Sequence, residues 1–483
     1  MSRLKICIIA CFFLLCYSAS AIELSLSDAV NIALKKSNRG VLIEGDLEVA
    51  QEQYNAKRIN FYLPEISING KLPVYSVFES FDYLPGQADK TLNRRTNFDF
   101  DADITLKQSL ITGGDFTLQS RLFNRDLKLP QVDSLRNIIE VNQINKQGQF
   151  DFSFTQPFLK PSQPKFDLKN KKDDLKIAEI IKIEESTNLK VEVVEAYFGI
   201  LQSKLQFDIE KHKTESAQIQ KFIDSSKFSE GILSEESWLT SESDLLDAEL
   251  EMFDKENNRV EKEKELALLL DLDYSDEIIT TTPIITEKLS ESQKKIYLSS
   301  WESSLSLLKA KHDYDKSKRT ADFTASSHGL TGTIEANYSI VRGDIAIQGL
   351  TSINNTDSWG LSVNFTLPIW DGGSKGAEIK AARISAKKSL ITFEKAKKSA
   401  KAKIKTIINK LEFSYRKLFV LKKQIKLADD KLNIATFRHK DGQISTFEFL
   451  KSKIYYLESQ DKLLLELKEY FKSKFELEGT FKH

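Results

Sequence analysis

The chain is 483 residues long and 41% apolar, with 70 basic and 70 acidic side chains in balance. That length suits two or three ordinary domains, yet nine prolines and nineteen glycines leave few breaks between them. Basic and acidic residues are interspersed, the pattern of solvated helix faces, which argues against a nucleic-acid binder.

Arg3 and Lys5 precede an apolar run from Ile6 to Cys16, and Ala19-Ser20-Ala21 supplies a small-x-small cleavage pattern. Residues 1–21 therefore read as a secretory signal, too short in its apolar run to be a spanning anchor. All three cysteines (Cys7, Cys11, Cys16) fall inside it, so disulfides, thiolate metal sites and cysteine catalysis are not expected. Leu15 is bulky where a lipidated Cys16 would want a small residue before it.

Ser27-Asp28 predicts a helix start with Ser27 as N-cap, running to about Lys36. A second helix is expected from about Val41 to Phe61, stopping before Pro64. Glu65 to Val77 has strand character, and a polar loop follows past Pro85-Gly86. Phe98, Phe100, Ala102, Ile104 and Leu106 then alternate with Asp99, Asp101, Asp103, Thr105 and Lys107, which is a half-apolar strand. Thr112-Gly113-Gly114 predicts a hairpin. With Leu110 opposite Phe116, Ile104, Leu106, Leu110, Phe116, Leu118 and Leu122 share one face. This stretch alone fits a soluble sheet and a membrane strand equally well.

Phe150, Phe152 and Phe154 lead into Gln156-Pro157-Phe158, and a long proline-free helix is expected from Lys165 to Phe228. It ends at Gly231 and returns as a shorter helix from Ser234 to about Leu270. A helix over about Ser290–Lys318, strand-like residues from Phe323 to Ile340 and a strand over Trp359–Trp370 follow. Asp371-Gly372-Gly373 breaks that strand, and no proline or glycine lies between Ala377 and Asp441. Apolar residues recur there about every 3.5 residues (Ala400, Ile404, Ile407, Leu411 among them), a heptad-like seam that predicts left-handed supercoiling. A turn at Gly442 and a return helix from Ser445 complete the chain.

A constant shift of 211 carries Phe154 to Phe365, Pro157 to Pro368, Gly231 to Gly442 and Ser234 to Ser445. The mature chain thus reads as two repeats, 22–273 and 290–483, joined by a connector over 274–289. Repeat one has its strands at about 65–158, long helix at about 165–229 and return helix at about 234–270. Repeat two has them at about 322–370, 375–440 and 445–478. The first repeat carries extra residues upstream, including the Gly113-Gly114 hairpin.

Leu24-Ser25-Leu26-Ser27-Asp28-Ala29-Val30, Thr155-Gln156-Pro157-Phe158-Leu159 and Phe365-Thr366-Leu367-Pro368-Ile369-Trp370-Asp371-Gly372-Gly373 are each weak motifs alone. In this order, spacing and duplication the chain resembles the TolC family of outer-membrane efflux and secretion channels over nearly its whole mature length. The resemblance implies an α+β membrane protein: long antiparallel coiled-coil helices forming a periplasmic tunnel, plus a trimeric β-barrel in outer-membrane lipid. It implies a homotrimer serving as a passive exit duct for drugs, metals or polypeptides. A periplasmic adaptor (membrane fusion) protein would join it to an inner-membrane pump or ABC transporter. A non-conducting periplasmic coiled-coil adaptor or spacer is the competing reading, and it leaves the strands unexplained. If the extra hairpin spans the membrane, each copy gives six strands instead of the family's usual four; alternatively it caps the barrel outside.

No catalytic constellation, cofactor loop or metal-spaced pair is visible; His212, His312, His328, His439 and His483 are scattered. No enzyme activity is expected. The candidate functional positions are mechanical. Phe228, Gly231, Ser234 and, in repeat two, His439, Gly442 and Ser445 form helix tips that the resemblance assigns to adaptor docking. Glycine suits such reversals, and Ser445 with Glu448 makes a capping box. The resemblance implies a tunnel entrance six and nine positions past the second glycine, acidic in the family's type member; here those positions hold Glu448 and Lys451. Phe158, Tyr338, Trp359 and Trp370, at expected strand ends, are candidates for the membrane–water interface.

Overall fold

The computed structural model describes residues 22–83, 90–132, 138–272, 278–280, 286–347 and 350–481. The expected signal over 1–21, the Pro85-Gly86 loop and, in the connector, residues 274–277 and 281–285 with Pro283 lie outside the described residues. Repeat one contains β1 (Ile22–Leu24), α1 (Leu26–Lys35), α2 (Asn38–Tyr62), β2 (Glu65–Tyr83) and β3 (Lys90–Ser109). β4 (Asp115–Val132), β5 (Ile138–Phe158), α3 (Gln163–Ser229) and α4 (Glu235–Leu270) follow, with β6 (Ile278–Thr280) in the connector. Repeat two contains α5 (Glu291–Ser299), α6 (Leu305–Ser327), β7 (Thr331–Ile347), β8 (Leu350–Thr366), α7 (Ser374–Lys440) and α8 (Thr446–Glu478). The chain divides into two compact units, one of 49–176 with 311–392, the other of the remaining described residues.

The second of these units is helical apart from β1 and β6, which pair in parallel. Its core gathers Leu24, Tyr197, Phe198, Leu270, Ile404 and Leu477, all buried. Tyr197 Oη donates to the Leu24 carbonyl at 3.2 Å, fixing β1 against α3. Burial disfavours the phenolate and pushes the Tyr197 pKa up to about 12. On α7 the buried positions Ala400, Ile404, Ile407, Leu411, Ser414 and Leu418 step by four and three, the seam of a coiled coil. α1 is capped by Ser25, whose Oγ accepts from the Asp28 N–H at 3.1 Å, and not by Ser27 as expected. Ser25 is favoured because it puts Asp28 at the third helical position, where its backbone N–H reaches the cap.

The single helix expected over Ser290–Lys318 is broken. A 3₁₀ turn over Ser300–Ser303 separates α5 from α6, and Ser304 is buried at the joint. There the Leu305 N–H bonds to the Thr480 carbonyl at 3.0 Å, so a partner outside the helix replaces an intrahelical one. Repeat one breaks in the same place, between α1 and α2, at buried Ser37.

The other unit holds a six-stranded antiparallel sheet in the order β2-β3-β4-β5-β7-β8, with the strand-proximal ends of four helices. The strands of repeat two begin at Thr331, later than the expected 322. Phe323 belongs to α6 because its ring stacks on Phe166 of α3 at 4.2 Å and no breaker precedes Gly329. Arg319 reinforces that contact, donating to Asn170 at 2.6 Å and to Asp173 at 2.7 Å. β8 ends at Thr366, so Leu367 to Trp370 lie past the strand that was expected to include them.

Candidate functional site

The sheet sorts its side chains by face. Residues paired across it fall in rows, and one row reads Ile66, Leu106, Leu118, Phe152, Tyr338, Trp359. The adjacent row on the opposite face reads Ser67, Thr105, Gln119, Asp151, Ser339, Ser358. One face is apolar and the other polar across all six strands. On the polar face Asn69 donates to Asp103 at 3.1 Å, and Arg121 Nε donates to Asp101 at 2.8 Å. The β3–β4 register differs from the expected one: Phe116 stands opposite Gln108, not Leu110, which forms part of the turn. The slip is of two residues, and a period-2 element shifted by two keeps every side chain on its face.

The strands are 17 to 21 residues long, but the apolar band occupies only part of each. On β8 it runs from Phe365 to Trp359 and gives way to Asp357; on β4 from Phe116 to Leu122, then Asn124. Such a stretch measures about 20–25 Å along the strand. This moves three of the four interface aromatics. Tyr338 and Trp359 sit mid-strand as neighbours, and Trp370 lies beyond β8, 87% exposed. Trp359 is 80% exposed and ends the apolar stretch of its strand. Phe158 closes β5, and its ring meets Phe365 edge-on at 5.4 Å across Gly332 of the intervening strand. A Cβ at residue 332 would collide with the Phe158 ring, so glycine here opens the slot that the ring fills.

The helix tips are duplicated turns. Gly231 and Gly442 have φ of +71° and +68°, with open space around both. Their N–H groups bond to the carbonyls of Phe228 and His439 at 3.0 Å. Ser234 caps α4 by accepting from the Ser237 N–H at 3.3 Å. Ser445 caps α8, accepting from Glu448 N–H at 3.2 Å while Glu448 Oε2 accepts from Ser445 N–H at 3.3 Å. Glu448 is thereby engaged in the capping box; Lys451, one turn on, is exposed. Phe228 stacks on Trp238 at 5.3 Å, and His439 stacks on Phe449 at 5.0 Å. Trp238 and Phe449 were not anticipated. The signal was available: the shift of 211 that relates Phe228 to His439 relates Trp238 to Phe449.

Residues 298–477 match the outer membrane efflux protein family. The match lies within the second repeat. No curated protein sequence matches the chain. Among solved structures it is similar to the CmeC outer membrane channel of Campylobacter jejuni, at TM-score 0.61 and 14% identity, over 95% of this chain and 86% of that one. It is similar to VceC of Vibrio cholerae at 0.58 and 12%, over 94% of each. The open-state MtrE channel of Neisseria gonorrhoeae gives 0.57 and 13%, over 94% and 88%. The fold of these outer membrane channels therefore extends across both repeats. Among the described residues no helix is long and apolar enough to cross a bilayer.

Proposed function

We propose that the protein is the passive outer-membrane exit duct of a tripartite efflux or type I secretion system. It works as a homotrimer, joined through a periplasmic adaptor to an inner-membrane pump or ABC transporter. The observation that carries this reading is the sheet: one face apolar over a membrane-sized band, the other polar, with edges β2 and β8 unpaired in a single copy. A sheet in lipid must close, and only further copies can pair those edges.

The helices support the same closure. α7 buries nothing before Ala400, and exposed Lys395, Lys397, Lys398 and Lys401 crowd this part of it. α2 exposes Asp46 and Glu48. A basic flank and an acidic flank suit head-to-tail contact between copies. The tips around Gly231 and Gly442, with their half-buried stacked rings, are the surfaces offered to the adaptor. Glu448 and Lys451 lie one turn behind the second tip and would border the tunnel entrance.

Purified protein reconstituted in planar bilayers should give stepwise ion conductance. A stable trimer without conductance would overturn the duct reading. Photo-crosslinkers beside Gly231 and Gly442 should capture a periplasmic adaptor in intact cells.

A further inference from the structure

We propose that the β3–β4 hairpin is part of the channel wall. It crosses the membrane beside β2, β5, β7 and β8, so that three six-stranded copies close a ring of eighteen strands. This rests on the reading of the chain as an outer-membrane channel.

Position in the sheet is the first argument. The hairpin is not appended to an edge; β3 pairs with β2 and β4 pairs with β5, so it forms the middle of the sheet. Without it β2 would lose its only strand partner among the described residues. Level is the second. Leu106 and Leu118 share a row with Ile66, Phe152, Tyr338 and Trp359, and Phe116 meets Phe152 edge-on at 4.9 Å. The apolar side of β3 extends from Phe98 to Leu106, the length of about nine residues that a tilted barrel strand needs to cross a bilayer.

Chemistry of the opposite face is the third. Asp101, Asp103, Thr105, Thr117, Gln119 and Arg121 stand back to back with those apolar residues, which suits a water-filled lumen. A cap outside the lipid would have water on both faces and no use for an apolar side at the level of Trp359, interrupted on β4 by Ser120 alone between Phe116 and Leu122. At the other end the turn is tied to the start of α3: Ser162 Oγ donates to the Ile111 carbonyl at 3.0 Å. The hairpin thus returns to the helix end of the sheet, as a wall strand must. Barrel diameter grows with strand number, so the ring would be wider than four strands per copy allow.

Residues after Cys16 contain no cysteine, so single nitroxide labels can be placed on the mature protein, residues 22–483, in liposomes. Leu118→Cys and Ser120→Cys report the apolar face of β4, the second being a near-isosteric change at an exposed site that keeps the fold. Thr117→Cys reports the polar face, and Val363→Cys on β8 is the reference for lipid. Labels at 118 and 120 should relax several-fold more with oxygen than with a water-soluble nickel chelate, as at 363, with the order reversed at 117. If 120 favours the nickel chelate while 363 favours oxygen, the hairpin lies outside the wall and the channel reading survives. If 363 itself favours the nickel chelate, both fall.

Discussion

α3 and α7 are each 67 residues long, and the shift of 211 that aligns Gln163 with Ser374 also aligns Ser229 with Lys440. Turn glycine, cap serine and stacked ring pair recur at the same shift. The fastenings between do not. α3 buries Asp224, whose carboxylate accepts from Ser241 at 2.5 Å and Gln220 at 2.9 Å; α7 has Ala435 there, buried and apolar. α3 fills the core with Tyr197 and Phe198, where α7 offers Ile408 and exposed Asn409. Helix length and turn position must match for paired helices to end together. Individual contacts need only be satisfied, and they have diverged.

The core asymmetry gives the largest expected effect. Phe198→Ala removes a fully buried ring stacked on Phe471 and should cost about 3–5 kcal/mol. Asn409→Ala, the same position in repeat two, should stay within about 0.5 kcal/mol. Urea midpoints of the detergent-solubilised protein would check the contrast, and equal losses would show that the two helices are equally embedded. In the sheet, Gly332→Val forces Phe158 out of its slot, at about 1–3 kcal/mol, the range for overpacking. Lower heat resistance of the assembled protein would show it. If the valine is tolerated, the ring has another resting place. At the tips, Gly231→Ala and Gly442→Ala should cost alike, about 1–2 kcal/mol each, because both meet only the left-handed backbone and no neighbour. Unequal costs by hydrogen exchange would mean that one turn is held by more than its own geometry.

The fold class was legible because its signals are periodic and repeated. Alternation over Phe98–Leu106, the seam over Ala400–Leu418 and the 211-residue shift each survive an error of a residue or two. What escaped depended on partners distant in sequence. Phe323 looks like a strand residue until Phe166 stacks on it, and the break at Ser304 needs the Thr480 carbonyl to make sense. Tyr338 and Trp359 are expected at strand ends, but the strands outrun the apolar band and leave both mid-strand. The tip glycines and cap serines were readable from local turn chemistry. Their stacked partners Trp238 and Phe449 required the repeat to be applied residue by residue.

The smallest effect expected separates the two tips by acid alone. Hydrogen bonds from Ser241 and Gln220 hold the Asp224 carboxyl below its usual pKa. The folded chain therefore gives up this proton more readily than the unfolded chain. The stability so contributed is present above the unfolded value, about 4, and is lost as pH falls through the lower folded value. Asp224→Asn keeps an oxygen to accept from Ser241 but gives up the charge, so near neutral pH it should lose the stability that the depressed carboxyl contributes, less than either tip glycine change costs. Hydrogen exchange, corrected for its intrinsic pH dependence, should show the α3–α4 tip loosening on acidification while the α7–α8 tip, with Ala435 in place, does not. In Asp224→Asn the two tips should respond alike. An acid response that persists in that variant would place its origin in another carboxylate and leave the buried hydrogen bonds as simple packing.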